Sequence, residues 1–146
     1  MGGLAACAVT PSTGAPGASP SPSSSAIPNA ELPACDPPPK VATPAWFPDD
    51  LPLPPGSYFT VDLTPLSGYH RGLFASPGSV QAFGRFVLSS WPDEGWLLGR
   101  GDAEFGEVEN QFVRGSAAGG FRARDAFCKP GYVNVLIIYD PNAGAS

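Results

Sequence analysis

From Tyr58 onward, large apolar residues recur at two spacings, one suited to strands and one to a helix. Tyr58-Phe59-Thr60-Val61-Asp62-Leu63 alternates with period two and predicts a first strand. Leu66-Ser67-Gly68-Tyr69 reads as a turn, and residues 70–75 as the returning strand. Ser76-Pro77 then reads as a helix start, with Ser as N-cap and Pro at the first helical position, where its missing N–H costs nothing. Val80, Phe83, Phe86, Val87 and Trp91 recur at helical spacing and form one apolar face over about four turns. Pro92-Asp93-Glu94-Gly95 ends the helix. Gly84 weakens its interior by ~1 kcal/mol, or else marks close packing on a sheet.

Beyond the helix, Trp96-Leu97-Leu98 predicts a short strand and Gly99-Arg100-Gly101-Asp102 a turn. Residues 104–113 and 120–127 predict two more strands, separated by a glycine-rich loop over 115–120. The last segment, residues 132–139, is nearly continuous in apolar and β-branched side chains, which suits a central strand or one buried on both faces. The order β-β-α-β-β-β-β specifies an α+β fold, one helix covering an antiparallel sheet of five to six strands. Its expected extent is residues 46–140, with 141–146 as a tail.

Composition divides the chain in two. Of its 146 residues, 19 are Pro, and fourteen of these lie within 1–55; fourteen of the 16 aromatics lie from Tyr58 on. Residues 8–45 therefore read as a disordered Ser/Pro-rich tether, unable to bury enough apolar surface to offset its ordering entropy. Trp46-Phe47 is the exception: two large rings in a Pro-rich arm require burial, so the arm is expected to lie against the domain from there. About 90 residues suffice for one modest core and exclude a large enzyme architecture.

The net charge is −5, and both parts are acidic. Neither offers the basic stripe that a phosphate backbone requires, so no nucleic-acid partner is expected. Leu4-Ala5-Ala6-Cys7 matches the bacterial lipobox, in which small residues precede a cysteine that receives diacylglycerol. Met1-Gly2-Gly3 supply neither the basic nor the apolar region of an export signal, which points to a start further upstream or a trimmed sequence. Myristoylation at Gly2 would need Ser or Thr at position six, where Ala6 stands. With Cys7 assigned to lipid, Cys35 and Cys128 remain as an even pair, expected to form a disulfide in an oxidising compartment. So long a closed loop would add about 4–5 kcal/mol in the chain-entropy model.

Candidate chemistry is sparse. Glu104, Glu107 and Glu109 face Arg100, Arg114, Arg122 and Arg124; paired carboxylates serve acid–base work, but on antiparallel strands Glu opposite Arg is also the ordinary cross-strand ladder. His70 stands alone, without a Gly-x-Ser-x-Gly nucleophile turn. Three scattered cysteines and one histidine do not make a zinc site, no dinucleotide or phosphate-loop fingerprint occurs, and no cofactor is expected. Arg100-Gly101-Asp102 spells the integrin tripeptide, a match short enough to arise from turn composition alone. Tyr69, Trp91 and Trp96 flank predicted turns, where exposed rings would stack on a sugar or an apolar ligand.

Pro48-Asp-Asp-Leu-Pro-Leu-Pro-Pro-Gly56, the helix ending near Gly95-Trp96, and Gly101-Asp102-Ala103-Glu104 together resemble small uncharacterised lipoproteins of high-GC, Gram-positive-like bacteria. In those, a lipobox and a Pro/Ser tether precede a compact α+β domain. The resemblance implies an extracytoplasmic location, anchored in the membrane, and no assigned activity. The reading is a non-catalytic binding or accessory module at the cell envelope, with membrane lipid at Cys7 and an unidentified envelope ligand or protein as partners. A small hydrolase using the Glu104/Glu107/Glu109 cluster or His70 would instead need a concave pocket around those groups. A purely structural envelope protein is the third reading, separated from the first by whether Trp91 and Trp96 are exposed or buried.

Overall fold

Val133, Val135, Ile137 and Tyr139 are buried along one face of the last strand, while Leu136 and Ile138 are half-buried on the other. That two-sided pattern belongs to a strand inside a sheet. In the computed structural model, which describes residues 39–126 and 130–144, six strands and one helix follow in the expected order. They are β1 (Tyr58–Leu66), β2 (Tyr69–Pro77), α1 (Val80–Asp93), β3 (Leu97–Glu104), β4 (Glu107–Arg114), β5 (Ala117–Asp125) and β6 (Tyr132–Asp140). The spatial order is β1-β2-β6-β5-β4-β3, antiparallel at every pairing. Helix α1 carries the chain from β2 to the far edge, and three hairpins bring it back to close β6 against β2. Cys7, Cys35 and Cys128, and with them the expected lipid site and bridge, lie outside the described residues, as do residues 8–38 of the tether expected over 8–45.

Several local expectations are corrected. The helix is capped by Ser79, not Ser76: the Ser79 side chain accepts from the Ala82 N–H, and Gly78 at φ 105° breaks the strand before it. Ser76 and Pro77 instead finish β2, opposite Val133 and Tyr132. At the other end Trp96 N–H donates to the Trp91 carbonyl and Gly95 N–H to that of Pro92, with Gly95 at φ 82°; this is a Schellman stop, and Pro92 fits inside the last turn. Gly99 to Asp102 form no turn. They lie within β3, at a bulge where the register shifts between Leu98 and Gly101. The turn falls at Phe105-Gly106, inside the segment expected as one strand over 104–113, where Gly106 takes φ 78°. Only Gly115 and Ser116 of the expected glycine-rich loop turn the chain, because Gly119 and Gly120 pair with Phe112 and Gln111 as part of β5.

One helix is too narrow for this sheet. Six strands span about 24 Å across, whereas a helix with its side chains covers about 10 Å. Val80, Phe83, Val87 and Trp91 seal α1 against the β3–β5 side. The Pro-rich segment covers the rest of the same face: Phe47 and Leu51 are buried, Phe47 meets Phe59 edge-on at 5.1 Å, and Val41, Trp46 and Leu53 pack around them. Val41 N–H already donates to the Phe59 carbonyl and Pro44 is buried, so the packed chain begins upstream of Trp46. A run of ring contacts, Phe59–Phe74–Phe83–Phe121–Trp91–Phe112–Trp96, joins the two covers into one core.

Candidate functional site

With helix and arm on one face, the opposite face of the sheet has no covering element among the described residues. Side chains that pair across strands point the same way, so the register assigns this face. Leu73 lies opposite Leu136, Arg71 opposite Ile138, Gln111 opposite Gly120, and Glu107 and Glu109 opposite Arg124 and Arg122. Near its middle is a trough of about 310 Å³, lined by Arg100, Gln111, Gly120, Arg122, Leu136 and Ile138 among others. Gly120 leaves the trough open, since any side chain there would project into it. Leu136 and Ile138 supply an apolar wall, and the β3 bulge sets both Gly99 and Arg100 against the single residue Gln111. Bulges commonly re-aim a side chain in this way.

Two carboxylates at this face, those of Glu107 and Glu109, are held by guanidinium groups. Arg122 Nε and Nη2 both lie 3.0 Å from Glu109 Oε2, and Arg122 Nε lies 3.4 Å from Glu107 Oε1. Arg124 Nε binds Glu107 Oε2, and that hydrogen bond, with the carboxylate's charge, raises the Arg124 guanidinium above its ordinary value. The ladder is solvent-exposed, so water screens each pair and it adds little to stability. Arg100 has no ion pair among the described residues.

Glu107 and Glu109 meet on Arg122, and Glu104 lies opposite Glu107, yet no one concavity is lined by all three. Glu104 and Glu107 border a groove beside α1, with Val80, Gly84 and Leu88, whereas Glu109 borders the trough and a second groove containing Gly84 and Leu88. His70, half-buried on β2, stacks on Trp46 with ring centroids 5.5 Å apart and planes inclined by 8°. Trp46 in turn donates its indole N–H to Asp62 Oδ1 at 2.9 Å. His70 is therefore part of the arm's docking surface, away from the glutamates.

The aromatic candidates separate. Tyr69, at the β1–β2 turn, is 37% exposed. Trp91 and Trp96 are 0% and 2% exposed, so neither has a ring face to stack on a ligand. Each indole N–H is held internally, Trp91 by the Pro52 carbonyl at 2.8 Å and Trp96 by that of Asp50 at 3.1 Å. Flanking a turn did not imply exposure here, because the arm covers both. Arg100, Gln111, Gly120, Leu136 and Ile138 were missed as a group. Their sequence signal was slight: a glycine opposite a polar residue on adjacent strands is visible only once the register is known.

Among the described residues no group of three or more His, Cys, Asp or Glu could hold a metal ion, and no helix is long and apolar enough to cross a membrane. Compared with protein-family models, with curated proteins and with solved structures, the chain matches none.

Proposed function

We propose that this protein is a non-catalytic binding or accessory module, moored at the extracytoplasmic face of a cell membrane by lipid on Cys7. The observation that carries the binding role is the uncovered sheet face. Its half-buried Leu73, Leu136 and Ile138 and the adjoining trough offer apolar surface, while Glu107 and Glu109 are engaged by arginines. Concave, partly apolar surface with a few convergent polar groups is what small-molecule recognition requires. The mooring rests on Leu4-Ala5-Ala6-Cys7 and the Ser/Pro-rich stretch after it, and the compartment on Cys35 and Cys128 as an even pair. Tyr69, exposed at a hairpin turn, is a further contact for a partner.

Burial of Trp91 and Trp96 favours the alternative of a purely structural envelope protein, since binding through those rings is lost with their exposure. The trough keeps the binding role ahead, because a purely structural domain has no use for an open glycine-floored concavity beside an arginine that has no ion pair among the described residues.

Cell fractionation tests the mooring. The full chain, expressed behind a complete export signal in a bacterium that processes lipoproteins, should sediment with membranes, and Cys7→Ser should release it to the soluble extracytoplasmic fraction. Equal distribution of the two variants would defeat the proposal.

A further inference from the structure

We infer that the trough on the uncovered sheet face is a binding site for a small anionic amphiphile, a molecule with one compact oxyanionic head and a short apolar body. The inference rests on the binding-module reading and adds the ligand's chemistry to it. Three features of the trough point there. Its volume, about 310 Å³, lies at the small end of the range for small-molecule sites. One wall is apolar, formed by Leu136 and Ile138 on β6, and Gly120 presents no side chain to fill the space before it.

The third feature is charge. Two arginines and one glutamate line the trough, giving a local positive excess in a chain whose net charge is −5. Arg122 and Glu109 neutralise each other at 3.0 Å, leaving Arg100 as the cation without a carboxylate among the described residues. A guanidinium presents a planar fork of N–H donors that suits carboxylate or phosphate oxygens, and the Gln111 amide beside it adds one more donor. A cationic ligand would meet Arg100 and lose these donors; a wholly apolar one would leave the guanidinium beside it unpaired.

Gly120 also shows that the space is not simply a packing defect required by the fold. A Cβ there would lie 3.4 Å from the Asn110 carbonyl oxygen and 3.8 Å from the Ile138 side chain, ordinary contacts that a side chain tolerates. The neighbouring Gly119 is different: its Cβ would overlap the Ile138 carbonyl oxygen and the Phe112 ring, so packing alone accounts for that glycine. Packing leaves the second glycine unexplained, and an occupied trough explains it.

The test is an amide-shift titration of the isotope-labelled full chain with octanoate, octyl phosphate and octanol. The two anions should move the amide signals of Gln111, Gly120 and Ile138, and octanol should bind about tenfold or more weakly. Whichever anion binds more tightly identifies the head group. Arg100→Gln, an exposed change that leaves the core alone, should weaken anion binding about tenfold while leaving octanol unchanged. Gly120→Val should abolish binding of all three. Equal affinity for octanol and the anions, indifference to Arg100→Gln, or shifts mapping away from the trough would each overturn the inference. The mooring is tested separately: a chain that fails this titration yet leaves the membrane on Cys7→Ser loses its ligand class and keeps its anchor.

Discussion

The Trp91 indole N–H donates to the Pro52 carbonyl at 2.8 Å, joining the last turn of the helix to a proline of the N-terminal arm. The indole is fully buried beneath the arm, and Pro52 is half-buried. The arm thus does two jobs on this face: it supplies Phe47 and Leu51 to the core, and its backbone carbonyls at Asp50 and Pro52 satisfy the two buried indoles. A proline-rich segment suits the second task. It forms few internal backbone hydrogen bonds, so its carbonyls remain available.

Trp91→Phe keeps most of the ring and removes the donor, leaving the Pro52 carbonyl without its partner. The expected cost is about 1–3 kcal/mol, read as a lower urea midpoint with an unchanged denaturant slope. A variant as stable as the parent would mean that the arm is not held there in solution.

Phe47→Ala tests the same cover from the arm's side. Phe47 is buried and packs edge-on against Phe59. Truncation should destabilise the domain by about 3–5 kcal/mol, as for other core phenylalanines. A loss below about 1 kcal/mol would make the arm a loosely attached tail.

Gly84→Ala should stabilise. A Cβ at Gly84 would meet the Val108 methyls at 3.7 and 3.8 Å, ordinary contact distances, so nothing in the packing requires glycine at that helix position. Relief of the glycine's helix cost should add about 0.5–1 kcal/mol, measured as a rise in thermal midpoint. Gly119→Ala should do the opposite, losing about 1–3 kcal/mol through overlap with the Ile138 backbone and the Phe112 ring.

Alkaline pH should weaken the fold through Tyr139. Burial first, then the charges of Asp50 and Asp140, raise its phenol above the ordinary value near 10, against an opposing effect of Arg114. Below about pH 10 the phenol is neutral in folded and unfolded chains alike, and its contribution is intact. Above that, the unfolded chain gives up the proton first, so stability falls until the folded phenol also ionises. Tyr139→Phe should show a shallower decline in urea midpoint as the pH rises above about 10; identical declines would assign the loss to other groups.

The parts of this fold legible in the sequence are those in which side chains alone set the structure. The spacing of Val80, Phe83, Val87 and Trp91 specified the helix face, and the unbroken run from Tyr132 to Tyr139 specified an interior strand. Glycine misled wherever a neighbour's side chain takes the place of its own. Gly101 and Gly119 read as turn residues, yet Asn110 packs over one and Phe112 over the other, which lets both remain in strands. Ser76-Pro77 read as a helix start because a proline's missing N–H is tolerated at the end of a strand as readily as at a helix N-terminus. The trough was illegible for a related reason. Arg100, Gln111, Gly120 and Ile138 lie on four different strands, and only the register brings them together.

Non-reducing peptide mapping by mass spectrometry, on protein extracted from the membranes of the native organism, tests the central claim most directly. A diacylglyceryl-modified Cys7 is expected at the processed N-terminus and, in the same molecules, one cystine-linked peptide pair containing Cys35 and Cys128. An unmodified Cys7, with Cys35 and Cys128 both recovered as thiols from the cytosolic fraction, would contradict it.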